Sequence, residues 1–114
     1  MWIASKFGFF SIVKKDGGWH IRARNVEDLK LLQEQLSLPA ITHTPEADYC
    51  ARIFVADDNS GKDTMAALMA VFGESIDYPN FKNAIAESPI QRDKLHSYHA
   101  VWSVMYDYQI RSRK

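Results

Sequence analysis

The segment FGFFSIVKKDGGWHIRAR, residues 7–24, decides the fold. Aromatic and β-branched residues run from Phe7 to Lys14 and again from Trp19 to Arg24. Between them, Asp16-Gly17 supplies the two positive φ angles of a type I′ turn, so the segment reads as a β-hairpin. That turn sets a register with Lys15 opposite Gly18, Lys14 opposite Trp19, Ile12 opposite Ile21, Ser11 opposite Arg22 and Phe10 opposite Ala23. Side chains alternate faces along a strand. One face therefore carries Phe10, Ile12, Trp19, Ile21 and Ala23, and reads as core. The other carries Phe7, Phe9, Ser11, Val13, His20, Arg22 and Arg24.

Outward from the hairpin, residues 1–13 are apolar but interrupted by Ser5, Lys6 and Ser11, and read as a strand rather than a signal peptide. Asn25 caps a helix to about Leu36, with Asp28 in its first turn and Leu29, Leu32 and Leu36 as its buried stripe. A loop holding Pro39 and Pro45 follows, and 41–43 is the one further strand the pattern allows. A third strand covers 49–56, with Tyr49, Ala51, Ile53 and Val55 on one face and Cys50, Arg52 and Phe54 on the other. Asp57 to Gly61 reads as a turn. A second helix covers 63–74 along Met65, Leu68, Met69 and Phe72, and one or two helical turns fit 81–86. Ser88-Pro89-Ile90-Gln91 carries the start signal of a long last helix, with Arg111, Arg113 and Lys114 at its negative end. The expectation is one α+β domain over 1–114, in ββαβαα order, with helices on one face of a small, largely antiparallel sheet.

The last helix is the unusual element. Around 95–110, apolar side chains fill an arc of roughly 240°, whereas a helix on one side of a small domain needs little more than ~100°. Three strands and two shorter helices offer little surface to enclose it. Folding of 76–86 over its open side would complete a monomeric core. Otherwise a second copy or a protein partner must cover it. Tyr98, Val101, Trp102 and Tyr108 are the residues expected to anchor such an interface, because aromatic side chains dominate contact energies.

Composition narrows the remaining choices. Fourteen basic residues balance fourteen acidic ones, so no bulk field attracts a polyanion. A single cysteine, Cys50, excludes an internal disulfide and fits the cytoplasm. No run approaches the ~18 apolar residues of a membrane span. No cofactor is implied.

Met1-Trp2-Ile3, Phe7-Gly8-Phe9-Phe10-Ser11 and His20-Ile21-Arg22-Ala23-Arg24 resemble small uncharacterised bacterial and phage-type proteins of similar length. Ile76-Asp77-Tyr78-Pro79-Asn80-Phe81-Lys82 and Gln91-Arg92-Asp93-Lys94-Leu95-His96 resemble the same group. The resemblance spans most of the chain and implies a whole small protein. It brings no activity.

The second sheet face is the alternative binding surface. Phe7, Phe9 and Phe54 interleave there with Arg22, Arg24, Arg52 and His20, a composition that can stack bases and neutralise phosphates of a single strand. The ribonucleoprotein signature is absent. Asp93, His96 and His99 share helical spacing, but His96 and His99 project to different sides and no third strong ligand adjoins them. Gly61-Lys62 lacks the glycine and hydroxyl of a phosphate loop, having Ala56 and Asp63 in their places. Cys50 lies beside Arg52, but no local motif links it to His20, His43, His96 or His99 as a base. Enzyme chemistry has no constellation to rest on.

Overall fold

The computed structural model describes residues 1–112, with Tyr78 described by its backbone only. The elements are β1 (Trp2–Ser5), β2 (Gly8–Lys15), β3 (Gly18–Ala23), α1 (Val26–Gln35), β4 (Thr42–His43) and β5 (Ala51–Ala56). After them come α2 (Asn59–Gly73), a 3-10 turn (Glu74–Ile76), α3 (Tyr78–Glu87) and α4 (Lys94–Ser112). The strands form one antiparallel sheet in the order β1-β2-β3-β5-β4. This is the expected α+β architecture with two more strands than the hairpin and its neighbour.

The β2–β3 hairpin has the register its turn dictates, from Lys15 opposite Gly18 to Phe10 opposite Ala23. Asp16 and Gly17 take φ of 57° and 78°. β5 continues that register on the far side, with Ile53 against Ile21 and Arg52 against Arg22. The short β4 hairpins back onto β5 through Thr42 and His43.

Residues 1–13 are two strands rather than one. Ser5 closes the turn between them: its Oγ donates to the Gly8 carbonyl at 2.9 Å and accepts from the Phe7 amide at 3.2 Å. The reversal takes Phe7 out of the strand alternation. Its ring is buried in the core cluster instead of lying beside Phe9, Arg22 and Arg24. Tyr49 departs in the same way, because β5 starts only at Ala51 and Tyr49 turns to the Arg22 side of the sheet.

α1 and α2 cover one sheet face. Leu29 and Leu32 of α1, with Met65, Leu68 and Phe72 of α2, meet Phe10, Ile12, Ile21, Ala23, Ala51, Ile53 and Val55. Asn25 caps α1 as expected, its Oδ1 accepting from the Asp28 amide at 2.9 Å. The turn expected at 57–61 is instead the start of α2. Asp58 caps it by accepting from the Gly61 amide at 2.7 Å, a helix entry hidden in a run rich in turn residues.

The Ser88 start signal is only half realised. Ser88 Oγ accepts from the Gln91 amide at 3.2 Å, but turns follow and continuous helix begins at Lys94. The Gln91 side chain points inward rather than closing a capping box. Its Nε2 donates to Asp28 Oδ1 at 2.7 Å and to the Phe7 carbonyl at 3.1 Å. Asp28, 1% exposed, also accepts from the Phe9 amide at 3.3 Å and pairs with Lys94 Nζ at 3.0 Å. Gly8 permits this approach. Its φ is 142°, and a Cβ there would lie 2.3 Å from Asp28 Cγ.

Truncation of Asp28 would strand Lys94 and the Phe9 amide without their acceptor and leave Gln91 only the Phe7 carbonyl. Asp28→Ala should therefore lower unfolding free energy by about 3 kcal/mol, the low end for breaking a buried pair. Asp28→Ala combined with Lys94→Met should regain part of that loss. Urea unfolding of the three proteins measures both effects, and an unshifted midpoint for Asp28→Ala would contradict the anchoring role.

Candidate functional site

α4 is held only at its N-terminal end. Lys94 is tied to Asp28, and the Tyr98 ring lies 6.5 Å from that of Phe9 and 6.1 Å from that of Phe81. No residue from Lys94 to Ser112 is buried. Beyond Tyr98 the helix leaves the body of the domain. Trp102, Val104 and Tyr108 are 62%, 63% and 58% exposed, and Val101, Met105, Tyr106 and Ile110 are exposed with them. α3 shelters only the first turns, and Ile76 is itself exposed, so 76–86 does not fold over the remainder. The radius of gyration, 15.3 Å, exceeds the about 13 Å of a compact domain of this length.

Of the four anchors read from the sequence, Val101, Trp102 and Tyr108 stand free. Tyr98 is corrected. Its ring is spent inside the subunit between Phe9 and Phe81, because β1–β2 and α3 both reach the start of α4. Its hydroxyl is buried without a hydrogen-bond partner. Desolvation, and secondly the nearby charge of Asp28, raises the Tyr98 phenol above its ordinary range. Phe9, Arg24, Asp28, Lys94, Tyr98 and Val101 line a small cavity of about 260 Å³ at this junction.

A larger recess of about 640 Å³ opens between α3 and α4, lined by Phe81, Lys82, Leu95, Tyr98, His99 and Trp102. His99 stacks on Trp102 with centroids 5.6 Å apart, and Tyr106 meets Trp102 edge-on at 5.3 Å. The aromatic ridge of α4 is thus continuous with the wall of the recess.

On the other sheet face, Phe9, Arg22, Arg52 and Phe54 share a side, and Arg24 follows the end of β3. The guanidinium groups, however, converge on one loop. Arg22 and Arg24 lie 4.5 and 4.1 Å from the Tyr49 ring centroid. Arg24 also donates to the Asp48 carbonyl, Arg52 to that of Tyr49, and Arg22 to Ser11 Oγ at 2.7 Å. His20 contacts Phe54 with centroids 5.0 Å apart and bonds Asp16 at 3.2 Å. The arginines are thus engaged with a tyrosine ring, two carbonyl oxygens and the Ser11 hydroxyl.

The remaining candidates gather no site. Cys50 Sγ donates to the Arg24 carbonyl at 3.0 Å, so the thiol is engaged with backbone. Among the described residues, no group of three His, Cys, Asp or Glu side chains is placed to hold a metal ion. No helix among the described residues is long and apolar enough to cross a membrane. Sequence reasoning missed the Asp28–Gln91–Lys94 cluster. No local pattern marks it, because Asp28 lies 63 residues from Gln91 in sequence.

Comparison with known protein families, curated proteins and solved structures returns no match to this chain.

The Tyr98 environment makes a pH prediction. A phenol whose folded pKa is raised contributes stability below its unfolded value, about 10, and that contribution is lost as pH climbs past it. In a phenolate absorbance titration Tyr98 should ionise above the ordinary phenol range. Tyr98→Phe should remove both the late step and the matching part of the alkaline loss of stability. Identical alkaline titration and stability curves for the parent and Tyr98→Phe would contradict this.

Proposed function

We propose that this chain is a non-catalytic interaction protein that works by protein–protein contact through α4. The observation that carries the reading is the bare apolar circumference of that helix from Val101 to Ile110. Helical stability in proteins comes mainly from a packed apolar face rather than from propensity. Here β-branched and aromatic residues, which are only moderate helix formers, occupy most of the unpacked length. Contact with another protein would supply the missing packing. Val101, Trp102 and Tyr108 offer the rigid apolar side chains that dominate interface energies. The lone, backbone-engaged thiol of Cys50 suits a reducing cytoplasm, where we place the protein.

Single-stranded nucleic-acid or phosphate binding through Phe9, Arg22, Arg24, Arg52 and Phe54 is the weaker reading. A phosphate would have to displace the contacts those arginines make with Tyr49, Asp48 and Ser11.

Amide hydrogen exchange tests the docking reading. Amides 101–110 should exchange roughly 100-fold more slowly in the parent than in a Trp102→Asp, Tyr108→Asp double variant, which alters both sides of the helix, as for a partner present at about 100 times its Kd. Measurements belong both in concentrated purified protein and in native cell extract, with the β2 and β3 amides as the folding control. Equal, fast exchange of parent and variant in both media would overturn the reading.

A further inference from the structure

We infer that the occupant of α4 is a second copy of this chain, paired antiparallel across a twofold axis near Trp102. The inference rests on the docking reading above and names its partner.

Surface area is the first argument. The chain exposes 7338 Å², against about 6,400 Å² for a monomer of 13.1 kDa, leaving a surplus of roughly 900 Å². One subunit of a standard protein interface buries about 800 Å². The surplus is therefore the size of one half of a dimer contact.

The helix is also complementary to itself. Its N-terminal half forms a wall of the 640 Å³ recess with Phe81, and its C-terminal half is a ridge with nothing beside it. A twofold contact requires that whatever residue i touches on the partner, the partner's residue i touches in return. Only antiparallel pairing lays ridge into recess twice over. The recess is centred on the turn from Leu95 to Trp102, about 5 Å along the axis from Trp102 at 1.5 Å per residue. The partner subunit's Tyr106 lies about 6 Å from the axis on that same side, level with Tyr98 along the helix, and so falls over the recess. Leu95, His99, Trp102, Tyr106 and Ile110 follow one stripe of the helix at i, i+3 and i+4 spacings, without a Lys, Arg, Asp or Glu among them. Trp102 is the anchor this stripe shares with the docking reading, while Val101 and Tyr108 lie on the opposite side of the helix and stay outside the pairing. Zero formal net charge leaves no bulk repulsion between two copies.

Light scattering at high micromolar concentration should give twice the chain mass, and Trp102→Ala and Tyr106→Glu should each return it to one. Both side chains are exposed in the single subunit, so the circular dichroism of the sheet should stay unchanged. Spin labels at Ser112→Cys in a Cys50→Ser background then read the direction of pairing. Antiparallel helices crossing at Trp102 place the two labelled backbones ~30 Å apart, whereas parallel helices bring them within ~10 Å. A short Ser112 distance, or a dimer that survives both substitutions, overturns the inference. So does a parent that stays monomeric. If a monomeric parent still shows protected α4 amides in extract, self-pairing fails while the docking reading stands; fast exchange there removes both.

Discussion

The Asp28 carboxylate is buried where the β1–β2 turn, the first turn of α1 and the approach to α4 meet. A carboxylate taken out of water is tolerated only when donors replace its hydration. Here those donors are the Phe9 amide, the Gln91 amide group and the Lys94 ammonium, each from a segment remote from α1 in sequence. Satisfying one side chain thus fixes three otherwise separate pieces. Gly8 is part of the same constraint, since any side chain there would occupy the space the carboxylate fills.

From that anchor the disposition of α4 follows. Lys94 is the first residue of the helix and Tyr98 lies one turn on, so the docked surface is spent within the first two turns. The sheet has no free apolar layer for the rest. Its core face is already filled by α1 and α2, and the Asp48–Tyr49 loop sits over the arginines on its other face. The apolar residues from Val101 onward are left pointing into solvent. An interaction role rests on this shortage of internal surface, and the engaged arginines count against the sheet as a binding platform.

The hairpin was legible because its information is local. Asp16-Gly17 sets the turn, the turn sets the register, and the register assigns every side chain from Phe10 to Ala23 to a face. The alternation failed only where a strand ended. Phe7 and Tyr49 each lie just outside a ladder, where period-two reasoning no longer governs direction. Asp58 and Asn59 were hidden for a related reason: residues that favour turns are also those that cap helices. Gln91 read as a capping residue, accepting from the Ser88 amide, yet the buried Asp28 carboxylate takes its Nε2 as a donor and holds the side chain in the interior.

What the chain settled alone was the α+β class, the hairpin and its register, the core stripes of α1 and α2 apart from Met69, which is exposed, and the excess of apolar residues along the last helix. All of these are periodicities or turn preferences expressed over a few neighbouring residues. Tertiary structure alone decided that Tyr98 turns inward, that the arginines close onto Tyr49, that a recess opens beside Phe81, and that the helix beyond Trp102 has nothing to lean on. Each of those depends on which distant segments meet. Such meetings are governed by the competition to satisfy buried polar groups and fill a limited core, and no local pattern encodes the outcome.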